Sequence, residues 1–399
     1  MLPMTPPPLP FTARSVRRIS RVSREEFVTA QLQEPFVVTG SLESWPLFQR
    51  MRECGGDEQK LALLGSLVGQ TPVSYHRLPQ QLRGHFHFQE GDPEHVTFGK
   101  ATRRENVSFD VLARELLECQ RGESADSVYM QAHFIEQGTP LSGALGPGVL
   151  PFLPEDNDIA MMWVGSNGQV VNLHYDDFTT VICMVNGMKR VTLFPPESLP
   201  HLYQAPFDRM LEYCQTSLVR VLDPDPRRYP LFERAQREAQ VAVLEPGDVL
   251  VMPPMWWHHV ESFGLNVMVN TRLFPASFPQ LESAYSNLSQ AVKLFFPRSQ
   301  EQRNRALALY REAVFAPGAS EPGPVHSAAV AEETPELARH RAETRQVAAS
   351  IPAFLREHLA RYYEHFVFQA SGDPHPTLPG AFAAMVERNR HSPTLFPRE

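Results

Sequence analysis

From Ser127 to about Phe274 the chain is a succession of short apolar runs, among them SVYMQAHF, VICMV, KRVTLF and VLVMP, broken by proline, glycine and asparagine. That punctuation predicts the strands of a β-sandwich or barrel rather than alternating strands and helices. The flanks read differently. Upstream, Ser23-Arg24-Glu25-Glu26 has the form of a capping box at a helix start, and EPFVVTG follows as a short strand ended by Gly40. Residues 41–70 read as helical with loops, and Ser108 to Arg121 places Phe109, Leu112, Leu116 and Cys119 at the spacing of an amphipathic helix. In GHFHFQEG, His85 and His87 alternate with Phe86 and Phe88, which favours a half-buried strand with its phenylalanines inward over a second metal site.

After Pro275 the pattern turns helical, over about 279–295, 299–315, 335–349 and 353–370, with APGASEPGPVHSAAVAEE as a flexible linker at 316–333. Leu355, Leu359, Tyr362 and Phe366 form a stripe that needs covering, by the barrel or by a second copy of the chain. The expected organisation is therefore a proline-rich extended or disordered stretch at 1–13, a mainly β domain with helical additions at 14–275, and a C-terminal α-helical region at 276–399 that supports a homodimer. An insertion at 199–240 interrupts the barrel and carries a short helix in YPLFERAQREAQ.

Composition narrows the setting. The 399 residues are 42% hydrophobic, enough for a substantial core, and 37 basic against 45 acidic residues leave a net charge of −8. That balance argues against broad binding to nucleic acid or anionic membrane. Cys54, Cys119, Cys183 and Cys214 are far apart and form no C-x-x-C pair, so neither a disulfide framework nor a structural zinc site is indicated. The proline-rich start leads to Arg14, Arg17 and Arg18 without an apolar signal core, and no run approaches membrane-spanning length. A cytoplasmic protein is expected.

The chemistry concentrates in VVNLHYDDFTTVICMVNGMKRVTLF. His174 and Asp176 are two residues apart, so an extended backbone puts them on one face. A third donor is offered by PGDVLVMPPMWWHHV, as His258 or His259; adjacent strand residues face oppositely, and the pattern alone does not choose between them. Two histidines and a carboxylate hold one face of Fe(II) and leave positions open for substrate and dioxygen. Lys189, in an apolar strand, calls for an anionic partner. Asn186-Gly187 marks a tight turn. A plain hairpin there sets Lys189 opposite Met184, on the order of 26 Å from Asp176 along the strand, too far to share a site.

These residues resemble the Jumonji C group of Fe(II)- and 2-oxoglutarate-dependent oxygenases in the cupin superfamily. HYDDFTTVICMVNGMKRVTLFPPE, YPLFERAQREA and EPGDVLVMPPMWWHHVESFGLNVMVNTR are similar to the peptide-hydroxylase branch, which includes the asparaginyl hydroxylase of hypoxia-inducible factor and the hydroxylase of the tRNA wybutosine base. The resemblance implies a double-stranded β-helix, or jelly roll, whose chain crosses from one sheet to the other near Asn186-Gly187. It implies iron ligation by His174, Asp176 and His258, with 2-oxoglutarate and dioxygen as co-substrates. Lys189 and Tyr129 are implied to grip the distal carboxylate of 2-oxoglutarate, Asn270 to lie near its iron-bound end, and Gln131 to face the substrate. Thr180 stands where the hypoxia-factor enzyme has an asparagine and is assigned to the co-substrate. The chain departs from T-P-x-H-Y-D by having Val171-Asn172-Leu173-His174, without the threonine hydroxyl.

The implied activity is hydroxylation of a C–H bond, most naturally on a protein or peptide side chain framed by the insertion and the C-terminal helices. Val181, Ile182 and Val191 are expected to wall the site against water. A small-molecule or modified-nucleoside hydroxylase, with modified tRNA as partner, and a demethylase are the enzymatic alternatives. A binding protein on the same fold with a vestigial site is the non-enzymatic one.

Overall fold

The computed structural model describes residues 6–273, apart from 31–33, 81–84, 87, 90, 91, 97–101, 147–149, 154–159, 177 and 204–214, together with Glu301 and Asn304. The expected C-terminal helices, the linker at 316–333 and the dimer they were to support lie outside the described residues. By contacts the chain divides into Met1–Gln204 with Cys214–Leu273, and Ala205–Tyr213 with Phe274–Glu399. The first unit carries everything that follows.

It opens with two short strands, β1 (Arg14–Ser15) and β2 (Arg17–Ile19), then helix α1 (Arg24–Ala30) and strand β3 (Phe36–Val38). The capping box closes reciprocally: Glu26 N–H donates to Ser23 Oγ at 3.1 Å and Ser23 N–H to Glu26 Oε2 at 2.8 Å. Helices α2 (Pro46–Glu53) and α3 (Asp57–Val68) follow, then strands β4 (Val73–Leu78), β5 (His85–Phe86), β6 (Phe88–Gln89), β7 (Asp92–Val96) and β8 (Thr102–Val107). Helix α4 (Phe109–Gln120) leads to β9 (Ser127–Phe134), α5 (Pro140–Gly143), β10 (Ala160–Gly165) and β11 (Val170–Tyr175). The remainder is β12 (Thr179–Phe194), β13 (Gln215–Thr216), α6 (Phe232–Gln236), β14 (Gln240–Leu244), β15 (Val249–Met252) and β16 (Trp257–Leu273).

Two long strands make the barrel. β12 and β16 run antiparallel from Thr179 opposite Leu273 to Phe194 opposite Trp257. The first half of β12 also pairs with β15, and the second half of β16 with β10. Those halves lie in a major sheet ordered β2-β3-β15-β12-β16-β10-β9-β4-β8. The second half of β12 pairs with β14, and the first half of β16 with β11. Those halves form a minor sheet. The chain is thus a jelly roll of the cupin type, mainly β with helical additions.

No hairpin forms at Asn186-Gly187. β12 runs through it with a register shift, and Gly187 at φ 80° and Gly264 at φ 73° lie where the two strands pass from one sheet to the other. A Cβ on Gly187 would sit 2.5 Å from the Leu265 carbonyl oxygen, so the close approach admits glycine alone without backbone movement. The corner replaces the hairpin because each half of β12 takes its partners from other strands, β15 and β16 before it and β14 and β16 after it, and both halves are buried.

Two apolar clusters follow from strand alternation. Ile182, Met184, Val191, Leu193, Val260 and Met268 fill the barrel between the sheets. Val181, Cys183, Val185, Val267 and Val269 face outward and are covered by Leu47, Phe48, Leu64 and Leu112 of α2, α3 and α4. Val181 therefore does not wall the site, as the sequence led us to expect; Ile182 and Val191 face the interior. On the outer side of the minor sheet, Arg190 and Glu261, both 5% exposed, pair at 2.5 and 2.7 Å. Arg190 also donates to the Pro7 carbonyl, and Phe11 packs on Phe194 and Phe232.

The corner makes a direct prediction. Gly187→Ala should lower unfolding free energy by about 2 kcal/mol or more, from the left-handed φ and the carbonyl clash together. The denaturant midpoint checks it, and an unchanged midpoint would show that the strand crossing does not depend on this residue.

Candidate metal centre

β11 ends and β16 begins side by side, with His174 opposite His258 and Tyr175 opposite Trp257. Their pairing places the two imidazoles 4.1 Å apart, centroid to centroid. Asp176 follows at the end of β11, and its Oδ2 lies 3.9 Å from His258 Nε2. That is too far for a hydrogen bond, yet within the roughly 4.2 Å that two donors can span on one cation with bonds of about 2.1 Å. The register also chooses between the neighbours: His258 is opposite Leu193, an interior residue, whereas His259 is opposite Thr192 and faces the other way.

Each imidazole is tethered by its inner nitrogen. His174 Nδ1 contacts the Asn172 carbonyl at 2.6 Å, and His258 Nδ1 the Trp256 carbonyl at 3.0 Å. A carbonyl only accepts, so both Nδ1 atoms carry the proton and both Nε2 atoms keep a lone pair for a metal. Asp176 is fixed from two sides. Thr180 Oγ1 donates to its Oδ2 at 2.8 Å, and Met255 N–H to its main-chain carbonyl at 2.7 Å. Met255 holds φ 68°, a costly conformation for a side-chain-bearing residue, at the turn into β16. Among the described residues, no set of three or more His, Cys, Asp and Glu side chains is drawn into a coordinating cage. The three donors stand converged but open.

Electrostatics prepares the same chemistry. Burial, together with the neighbouring His174, pulls the His258 pKa down to about 4, which leaves it neutral at physiological pH. Burial pushes Asp176 upward, but His258, His174, the Thr180 hydroxyl and Arg272 outweigh it, and the carboxyl stays below its usual range. A neutral His258 and an ionised Asp176 are the states in which these two groups can donate to a metal.

Lys189 lies deeper in the barrel, opposite Ser262 on the minor sheet, and is 1% exposed. Its Nζ donates to Ser262 Oγ at 2.7 Å and stands 5.8 Å over the Tyr129 ring. Burial lowers its pKa to about 7, and no carboxylate pairs with it among the described residues. Burial raises the Tyr129 pKa, so its hydroxyl remains a donor. Trp163 Nε1–H donates to Asn270 Oδ1 at 2.9 Å, which turns the amide NH2 of Asn270 free of that contact. Gln131 is half-buried and shares the face of Tyr129 by strand alternation, just before a left-handed Ala132 at φ 51°. Thr180, assigned from the sequence to the co-substrate, is bonded to the Asp176 carboxylate. Trp163, Ser262, Met255 and Arg272 were not singled out from the sequence. Arg272 carried a signal of the kind that marked Lys189, a cation inside an apolar strand.

Two predictions follow from this geometry. His258→Ala should weaken Co(II) binding, read from visible absorption, by more than about 100-fold, since it removes a ligand rather than a ligand's support. His259→Ala should lower stability while folded protein still binds the metal. In the metal-free protein, the unfolded chain protonates His258 near 6.5 and the folded chain only near 4, so the unfolded state binds more protons between these values. Stability should therefore fall as pH drops through that window, and His258→Gln should flatten the urea midpoint against pH.

Residues 22–272 match the sequence profile of the cupin-like domain. Human HSPB1-associated protein 1 is 40% identical over 114 residues, 28% of this chain and 22% of that protein. The tRNA wybutosine-synthesizing protein 5 of Gallus gallus is 35% identical over 126 residues, 31% of this chain and 37% of its own. The Jumonji C domain-containing protein 5 of Drosophila melanogaster is 38% identical over 100 residues, 25% and 24% respectively. The chain thus spans well under half the length of each of these relatives. The profile match takes in the jelly roll and all three donors, and the chain belongs to the family of proteins with a cupin-like domain of the Jumonji C kind.

Proposed function

We propose that this protein is an Fe(II)- and 2-oxoglutarate-dependent oxygenase that hydroxylates a C–H bond on a protein or peptide side chain. The observation that carries this reading is the meeting of His174, Asp176 and His258 at one end of a barrel that also buries an ammonium without a carboxylate partner, Lys189, among the described residues. His174 Nε2, His258 Nε2 and an Asp176 oxygen are the atoms that would hold Fe(II). When bound, the iron supplies the redox chemistry that couples decarboxylation of 2-oxoglutarate by dioxygen to insertion of one oxygen atom into a C–H bond.

The residues of the chain have distinct tasks in this reading. Lys189, set in place by Ser262, receives the distal carboxylate of the diacid; the anion returns to the lysine the charge partner that burial denies it. The Tyr129 hydroxyl supplies a neutral donor to the same group. Asn270, its carbonyl oxygen taken by Trp163, offers its NH2 toward the opposite end. Thr180 holds Asp176 in one rotation, so the ligand oxygen does not swing away. Ile182, Met184, Val191 and Leu193 keep water from the diacid.

A peptide substrate accords with the net charge of −8, which disfavours a polyanion. A modified nucleoside is the second reading, favoured by the relative named for tRNA wybutosine synthesis. Removal of an N-methyl group is the same C–H hydroxylation followed by collapse of the product.

Purified protein with Fe(II), 2-oxoglutarate and ascorbate should release succinate, and Asp176→Ala should not. Absence of succinate from the wild type with any candidate substrate sinks the reading. Lys189→Met gives a second, opposed pair of outcomes. It should raise the midpoint of thermal unfolding, because an unpaired buried cation is replaced by an apolar chain of similar length, while succinate formation is lost. A scaffold without chemistry would show the gain alone and keep its partner in Asp176→Ala.

A further inference from the structure

Two residues beyond Asn270 on β16, and so on the same inward side of the strand, stands Arg272. It pairs across the strand with Thr180, whose hydroxyl is bonded to Asp176. Its guanidinium carbon lies 4.7 Å over the centroid of the Phe178 ring, a cation–π contact that helps hold the side chain in place. The residue is part-buried, and its Nε is shut off from solvent with no hydrogen-bond partner among the described residues. A buried N–H of this kind costs free energy unless something arrives to accept it.

Two ordinary roles do not account for it. A guanidinium serving the core finds a carboxylate, as Arg190 finds Glu261 at 2.5 and 2.7 Å; Arg272 has no such partner among the described residues. Nor does it share the diacid with Lys189. Lys189 is paired with Ser262 in the minor sheet, whereas Arg272 is paired with Thr180 in the major sheet, where the β12 ladder starts. Its charge helps to lower the Asp176 pKa, but that calls for a charge nearby and not for a buried Nε–H without an acceptor among the described residues.

We infer that Arg272 is a specificity-determining residue, receiving the carboxylate of an acidic side chain that neighbours the hydroxylated residue of a peptide substrate. This rests on the oxygenase reading and adds the class of substrate to it. A planar fork matches a carboxylate through two parallel hydrogen bonds, and the Phe178 ring packs against the guanidinium that would make them. An acidic side chain needs one such cation, whereas a phosphate chain would bring many charges against a protein of net charge −8.

The test uses three fluorescein-labelled peptide pools with a degenerate centre flanked by Asp and Glu, by Asn and Gln, or by Lys. Each is presented to the full-length protein with Fe(II), 2-oxoglutarate and ascorbate, and mono-oxygenated products are quantified by mass spectrometry. Binding to the metal-free protein is followed in parallel by anisotropy. The wild type should favour the acidic pool over the neutral one by about tenfold, the scale of a charged hydrogen bond lost. Arg272→Gln should level that ratio, and Arg272→Glu should invert it toward the lysine pool. Because the ratio is taken within one protein, a loss of folded fraction cancels.

Equal use of the pools by the wild type overturns the proposal, as does an unchanged ratio in Arg272→Gln. So does product from none of the pools while succinate still forms from 2-oxoglutarate alone, or tighter binding of a single-stranded RNA oligonucleotide than of the acidic pool. Absence of succinate under every condition instead removes the oxygenase reading, and the anisotropy ratio then still decides whether Arg272 selects an acid.

Discussion

The molecule depends on one ladder: β12 and β16 hydrogen-bonded to each other along their whole length, bending together where Gly187 meets the Leu265 carbonyl. That bend lets one pair of strands serve two sheets. It also sets the depth of every functional side chain, because register along the ladder fixes which residues look inward. His258 is inward because Leu193 opposite it is, and Lys189 is inward because it pairs with Ser262. A slip of one residue would exchange His258 for His259 and Lys189 for Arg190. The chemistry of the barrel is thus held by backbone pairing, and the side chains inherit their places from it.

Within that frame, the site is built by withholding partners. Two imidazoles spend their inner nitrogens on carbonyls two residues back and are left with outward lone pairs. An ammonium is buried with a serine hydroxyl and an aromatic face where a carboxylate would be cheaper. A guanidinium keeps an unfilled N–H. Each is unfavourable by itself and would become favourable on meeting a group of opposite character. This is the general relation between a strained ground state and a binding function.

Much of this was legible in the sequence because it depends on period-two spacing. His174 and Asp176 fall on one face by their separation, Lys189 stands out in an apolar run, and the capping box of Ser23 and Glu26 forms as its letters say. What the letters could not carry is long-range register. Asn186-Gly187 reads as a hairpin because local turn chemistry is all that a window shows; the strand-to-strand pairing that turns it into a corner comes from residues near 264. His258 and His259 were inseparable for the same reason. Val181 was placed on the wrong side of the wall, since an unbroken apolar strand has no polar face to betray which side is which. The bond from Thr180 to Asp176 is not legible either, because it needs the turn between β11 and β12, which no spacing rule describes.

The Arg190 and Glu261 pair on the outer wall has a bearing on the chain's beginning. Both groups are nearly dry, and the guanidinium spends another donor on the Pro7 carbonyl while Phe11 lies on the adjoining aromatic residues. The proline-rich leader, unable to join a sheet, serves as a tile over an ion pair whose mutual attraction is worth most when water is kept out. Trimming the chain back to Arg14 would leave every strand in place and yet wet this pair, converting a strong interior contact into an ordinary surface one and loosening the wall directly behind Val191 and Val260.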